Sequence, residues 1–226
     1  MNARARPLRA IVVKDVQLEL RSGEALPAGA LFAVCAIVVF HFALQRDTLE
    51  GALAAGVFWL SLLFAAFLVI VRLFVADAEE GGIDALRLAG IDGGTLVAAK
   101  ATSLFAALAV ITACALPAFA LFLLGPPLLP ALPWLIVVGV LVNGGLAAVG
   151  ALTAALALLS RLRELIVPML LLPLAVPLVI GAVEATTPLF ARPVGAPELR
   201  WLLLLGLYDL LFVTIAVGVA DHLLEE

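Results

Sequence analysis

GALAAGVFWLSLLFAAFLVIVRLFV, residues 51–75, holds one charged side chain in its whole length, Arg72 near the end. A helix needs about 20 consecutive apolar residues to cross a bilayer, and this run is long enough. An amphipathic soluble helix would show a polar face, and the only other polar side chain here is Ser61. A membrane β-strand would be about 10 residues of alternating polarity, which this run is not. It reads as a transmembrane helix.

Five further runs of this kind flank it, at about 26–44, 101–124, 132–159, 165–183 and 201–220. They are bounded by polar or helix-breaking groups: Gln45-Arg46-Asp47, Gly125-Pro126-Pro127, Arg161 with Arg163, and Glu184. Small residues such as Gly144-Gly145 let helix backbones approach closely in lipid. Pro168, Pro173 and Pro177 each remove a backbone donor, so the fifth span is expected to be kinked or locally broken.

Composition agrees. Of 226 residues, 65% are hydrophobic and 13% charged, against roughly 45–50% and 25% in soluble domains. Mean hydropathy is +1.24. A net charge of −4 argues against a nucleic-acid partner. Cys35 and Cys114 each sit alone in an apolar run, without metal spacing, and are expected to be small buried hydrophobes. Arg4, Arg6 and Arg9 imitate the start of a signal peptide. The first apolar run begins only near Leu26, however, with no cleavage pattern, so the first span is expected to be retained.

Orientation follows from Lys and Arg in the short loops. A cytoplasmic N-terminus places Arg4, Arg6, Arg9, Lys14, Arg21, Arg72, Arg87, Lys100, Arg161 and Arg163 inside and only Arg46, Arg192 and Arg200 outside. An even number of spans then returns the C-terminus to the cytoplasm.

Two segments outside the spans carry information. In 7–21, Leu8, Val12, Val16 and Leu20 recur every four residues, while Arg9, Lys14 and Asp15 lie largely away from that row. This is an amphipathic interfacial helix, read either as a simple anchor or as part of a larger device. In 76–91, acidic residues Asp77, Glu79, Glu80 and Asp84 precede or flank Ile83, Leu86 and Arg87 at helical spacing. The segment reads either as an ordinary loop or as a short cytoplasmic helix on which another protein docks.

Sequence signatures for catalysis are missing. The chain has no GxxxxGK[ST], HExxH or GxSxG. His41 and His222 fall near opposite faces, and Ser22, Ser61, Ser103 and Ser160 have no evident histidine partner. The chain is therefore expected not to be an enzyme by itself, and to bind no metal or cofactor directly. Ionisable or polar groups at membrane depth are functional candidates. They are Asp209 beside Tyr208, Glu184 at the outer end of span five, Asn143 beside Gly144-Gly145, and His41. Each also has an ordinary reading as a packing bond or an interfacial group.

Taken in order, these features resemble the heme exporter protein B (CcmB) family. The resemblance rests on Lys14-Asp15 through Glu19-Leu20-Arg21, the acidic stretch 72–86, Lys100, and the proline-rich span five with Gly181 and Glu184-Ala185-Thr186. It also includes Tyr208-Asp209-Leu210-Leu211-Phe212 and the ending Leu224-Glu225-Glu226. It implies one transmembrane domain over 1–226, an all-α integral membrane fold like that of ABC exporters. Residues 7–21 would be its elbow helix and 76–91 the segment coupled to an ATPase. It implies a bacterial inner-membrane subunit for cytochrome c biogenesis, with haem as transported ligand and ATP on a partner. The implied partners are membrane lipid, a CcmA-like P-loop ATPase, CcmC-like and CcmD-like haem-handling subunits, a CcmE-like periplasmic haem chaperone, and a second copy of the chain. The step driven by ATP would be haem export or release of the loaded chaperone. An ATP-independent transporter or channel, needing mid-membrane charges such as Asp209, and a purely structural assembly subunit stay as rivals.

Overall fold

The computed structural model describes residues 5–79, 93–124, 128–157 and 163–224. It is helical, with α1 Ala5–Ser22, α2 Ala25–Leu44, α3 Gly51–Glu79, α4 Gly93–Phe119, α5 Leu128–Ala157, α6 Arg163–Thr186 and α7 Leu199–Leu224. Among the described residues, helices α2 to α7 are the six that are long and apolar enough to cross a membrane.

Burial sorts these six into a centre and a periphery. In the spanning windows, 72% of α5 and 67% of α3 are buried, against 22% of α2 and 17% of α7. Helix α5 packs on α4, α6 and α7, and α3 packs on α2 and α6. Lipid cannot drive helices together by the hydrophobic effect, so close contact depends on small residues. Gly29 of α2 shows this. A β-carbon there would lie 2.6 Å from a Val69 methyl of α3 and 2.8 Å from Ile111 of α4.

The helix ends follow local chemistry. Gln45 closes α2 in the left-handed conformation, with φ 49°. Pro117 lies inside α4, and the next turns widen into a π-helix at Ala120–Leu124. The carbonyl of Leu123 accepts the backbone N–H of Leu49 at 2.6 Å, which fixes the α2–α3 connection against the end of α4. Buried Phe58, Trp59, Phe119 and Phe190 cluster at this end, with ring centroids 4.9–6.1 Å apart. The indole N–H of Trp59 donates to the Thr186 hydroxyl at 2.9 Å, and that hydroxyl lies 2.7 Å from the Ala182 carbonyl. Arg192 pairs with Glu50 at 3.1 Å across the same end.

Three expectations are corrected. Helix α4 starts at Gly93, not near residue 101. The helix cost of Gly93 and Gly94 is outweighed by burial of Leu96, Val97 and Ala99 against neighbouring helices. Of the kink or break expected in the proline-rich α6, the break is absent: it is one uninterrupted helix, Arg163–Thr186. Neighbouring helices in a membrane bundle tolerate and re-satisfy such prolines. Cys35 and Cys114 are exposed on the helix surfaces, not buried. In hydrocarbon, a small apolar side chain gains nothing by turning inward.

Gly29→Val is expected to lower stability by about 1–3 kcal/mol, the usual cost of overpacking. Gly56→Ala, where a β-carbon meets nothing within 4 Å, should cause no loss. Thermal unfolding of the two variants in one detergent checks both.

Candidate functional site

The best-defined polar assembly lies where α1 meets the start of α4. Ile11 is buried against Leu96 and Ala99, with Leu8 and Val12 packed beside them. One turn along each helix the contact becomes ionic. The Asp15 carboxylate accepts from Lys100 Nζ at 3.0 Å and from the Ser103 hydroxyl at 3.0 Å, with Lys14 Nζ at 3.4 Å. The Asp15 and Lys100 side chains are only 7% and 14% exposed. Removing one partner of a buried pair typically costs about 3–5 kcal/mol, because the other charge is stranded. This cluster is set at the end of the bundle where α4 begins, at Gly93. An exposed pair, Arg72 with Glu24 at 3.4 Å, joins α3 to the α1–α2 link nearby.

Sequence reading had put Asp15 on the polar side of α1, away from the packing row, and the structure corrects this. The usable signal was Lys100 and Ser103, three residues apart on one face of an apolar helix. Such a cation at the membrane edge needs an acid, and the adjoining amphipathic helix offers two, Asp15 and Glu19.

At membrane depth, Asn143 and Thr112 bond one another between α5 and α4, at 3.1 and 3.3 Å. The Tyr208 hydroxyl donates to the Leu174 carbonyl of α6 at 2.5 Å, beside the proline-rich stretch. Asp209 does not join that bond. Its carboxylate lies over Gly144-Gly145 of α5, and its buried Oδ1 has no hydrogen-bond partner among the described residues. A β-carbon at Gly145 would sit 2.7 Å from this oxygen and 2.8 Å from Leu178. Glu184 is exposed at the C-terminal end of an α6 stripe made by Met169, Leu172, Val176 and Ile180. His41 is half-buried between Phe42 and Phe122, and its Nδ1 atom has no hydrogen-bond partner among the described residues.

Tyr208, Asp209 and Asn143 therefore share the α4–α7 interior, whereas His41 and Glu184 stand apart. Asp77 and Glu79 fall in the last turns of α3. Glu80, Ile83, Asp84, Leu86 and Arg87 lie outside the described residues.

Six spanning helices preceded by a helix docked on the bundle's own base define a multi-pass α-helical membrane protein. Its family is CcmB: the model described as CcmB protein matches residues 6–224, and the chain belongs to that family. Over 180 residues it is 32% identical to heme exporter protein B of Paracoccus denitrificans, covering 79% of this chain and 81% of that protein. It is 31% identical over 178 residues to heme exporter protein B of Rhodobacter capsulatus, covering 78% and 81%. For the protein of that name from Bradyrhizobium diazoefficiens the match is 30% over 210 residues, covering 84% and 86%. The family expected from the residues is the family found.

Thr186→Val should strand the Trp59 N–H and lower stability by about 1 kcal/mol, the scale of one hydrogen bond between membrane helices. Thr186→Ser should keep it. Unfolding midpoints of both variants measure the difference.

Proposed function

We propose that this chain is the membrane subunit of a haem-exporting, ABC-type complex for cytochrome c biogenesis. Family membership across residues 6–224, with relatives named heme exporter protein B, is the observation that carries this reading. The chain contributes no nucleotide site. A separate cytoplasmic P-loop ATPase, CcmA-like, binds 76–91 and supplies the power stroke. Haem is the cargo of the complex, passed with CcmC-like and CcmD-like subunits to a CcmE-like periplasmic chaperone, and two copies of this chain stand on two ATPases. The Lys and Arg distribution, ten against three, supports an inner-membrane setting with both termini cytoplasmic.

Within this reading, ATP drives either passage of haem or release of the haem-loaded chaperone. The second is favoured by the way the described interior polar groups other than Asp209 are used. Asn143 with Thr112, Tyr208 with Leu174 and Trp59 with Thr186 join helix to helix. Such groups hold a mechanical element together and are not turned towards a ligand.

The test is a tagged chain recovered from solubilised native membranes. A P-loop ATPase and haem-handling membrane subunits are expected to co-purify. Asp84→Lys combined with Leu86→Asp should abolish recovery of the ATPase and stop cytochrome c maturation. A chain that purifies alone and transports in liposomes without ATP would overturn the reading and put Asp209 at the centre of an ATP-independent mechanism.

A further inference from the structure

We propose that Asp15, Lys100 and Ser103 are positioning residues that make α1 and the first turns of α4 a single moving body. On this reading α1 belongs to the coupling device and is more than a membrane anchor. The inference rests on the ATP-coupled function proposed above.

The argument starts from where force would arrive. Residues 80–92 feed directly into Gly93, so displacement of that connection reaches the stretch 93–103 of α4 before any other part of the helix. That same stretch holds α1, through Leu96 and Ala99 on Ile11 and through Lys100 and Ser103 on Asp15. Ile11 and Asp15 are four residues apart, as are Leu96 and Lys100, and Ala99 and Ser103. On both helices the apolar contact and the polar contact are therefore stacked one turn apart on one face.

That stacking fixes register. An apolar contact alone tolerates sliding. Sliding α1 along its axis by one turn, about 5.4 Å, restacks its apolar residues but carries Asp15 out of reach of both partners. The carboxylate is held on both oxygens, Oδ1 by Lys100 and Oδ2 by Ser103, so rotation of the side chain cannot make up for such a slip. The contact resists shear as well as separation, which a part that transmits motion requires and an anchor does not.

Motion of α1 then has an outlet. Only Gly23 and Glu24 separate it from α2. Gly23 has φ +60° and no atom within 4 Å of a β-carbon built on it, while Glu24 pairs with Arg72 of α3, so the link is short, open at Gly23 and tied to the bundle at Glu24. Helix α2 is one of the two least buried spans. Displacement of 80–92 would thus reach the first span through α1, in parallel with its direct path along α4.

The experiment uses the assembled complex in native-lipid nanodiscs with the full chain. Asp15→Asn and Lys100→Met are compared with the charge swap Asp15→Lys with Lys100→Asp. Three quantities are read: recovery of the ATPase, ATP hydrolysis rate, and chaperone-bound haem formed per ATP. In the single variants the ATPase should remain bound and hydrolysing, while product per ATP falls about tenfold, within the usual range of coupling energies. The swap should recover part of the loss. Single variants that assemble and keep the wild-type ratio overturn the proposal.

Should the single variants fail to assemble, a second measurement decides. With Cys35→Ala and Cys114→Ala as background, Ile11→Cys and Ala99→Cys are joined by a thiol crosslinker in the assembled complex. Unchanged turnover after crosslinking supports one moving body, and lost turnover overturns it. Failure of the underlying function would be visible separately, as an unmodified chain that recovers no ATPase or works without ATP.

Discussion

Hydrocarbon offers no hydrogen-bond partner, and the rest of this structure depends on that. A soluble protein can leave a serine or an aspartate at its surface and let water satisfy it. Here the outer surface of the bundle is itself apolar, so polar groups are drawn to helix junctions. Thr112 with Asn143, Trp59 with Thr186 and Tyr208 with the Leu174 carbonyl each join two helices. Glycines set how near those helices come. Gly29 brings α2 onto α3 and α4, and Gly145 lets Asp209 and Leu178 reach α5. The interior is thus specified by a few directional bonds and close approaches. Large apolar side chains are spread over inside and outside alike.

This explains what was legible in the sequence. The six spans could be read because length and continuity of apolar residues decide them, and the bilayer imposes that length. Which face of a span points inward could not be read the same way. In a helix such as α7 the exposed Leu203, Leu207, Leu210 and Leu211 are as apolar as anything buried, so periodicity loses its meaning. The two cysteines were misplaced for that reason. The start of α4 was missed because Gly93-Gly94 and Lys100 look like loop residues until α1 is present to bury their neighbours.

Asp15 marks the same limit at the candidate site. Counted along α1 alone, it belongs to the polar side. Only contact with a helix more than 80 positions further on, through Lys100 and Ser103, shows that this side faces protein. Asn143, Tyr208 and Asp209 could be named from sequence because a polar residue in an apolar run stands out. Their partners could not, since a backbone carbonyl such as that of Leu174 leaves no trace in the sequence. The open Oδ1 of Asp209 is the exception among these groups, being buried and without a hydrogen-bond partner among the described residues.

The distribution of burial has a mechanical consequence. Helices α3 and α5 form the fixed centre, since moving either would disturb several interfaces together. Helices α2 and α7 have large surfaces against lipid, and lipid yields where packed side chains do not. On the coupling proposed above, a push delivered at the base of α4 would be taken up by α2 and α7, both of which pack on α4. The Asp15 contact lies on the path that leads to α2, through α1 and the two-residue link. Were α1 held by apolar contact alone, the same push could be dissipated by sliding it across the membrane surface. On the proposed reading, a buried carboxylate with a donor on each oxygen closes off that escape, and this gives a physical reason for a charge at Asp15.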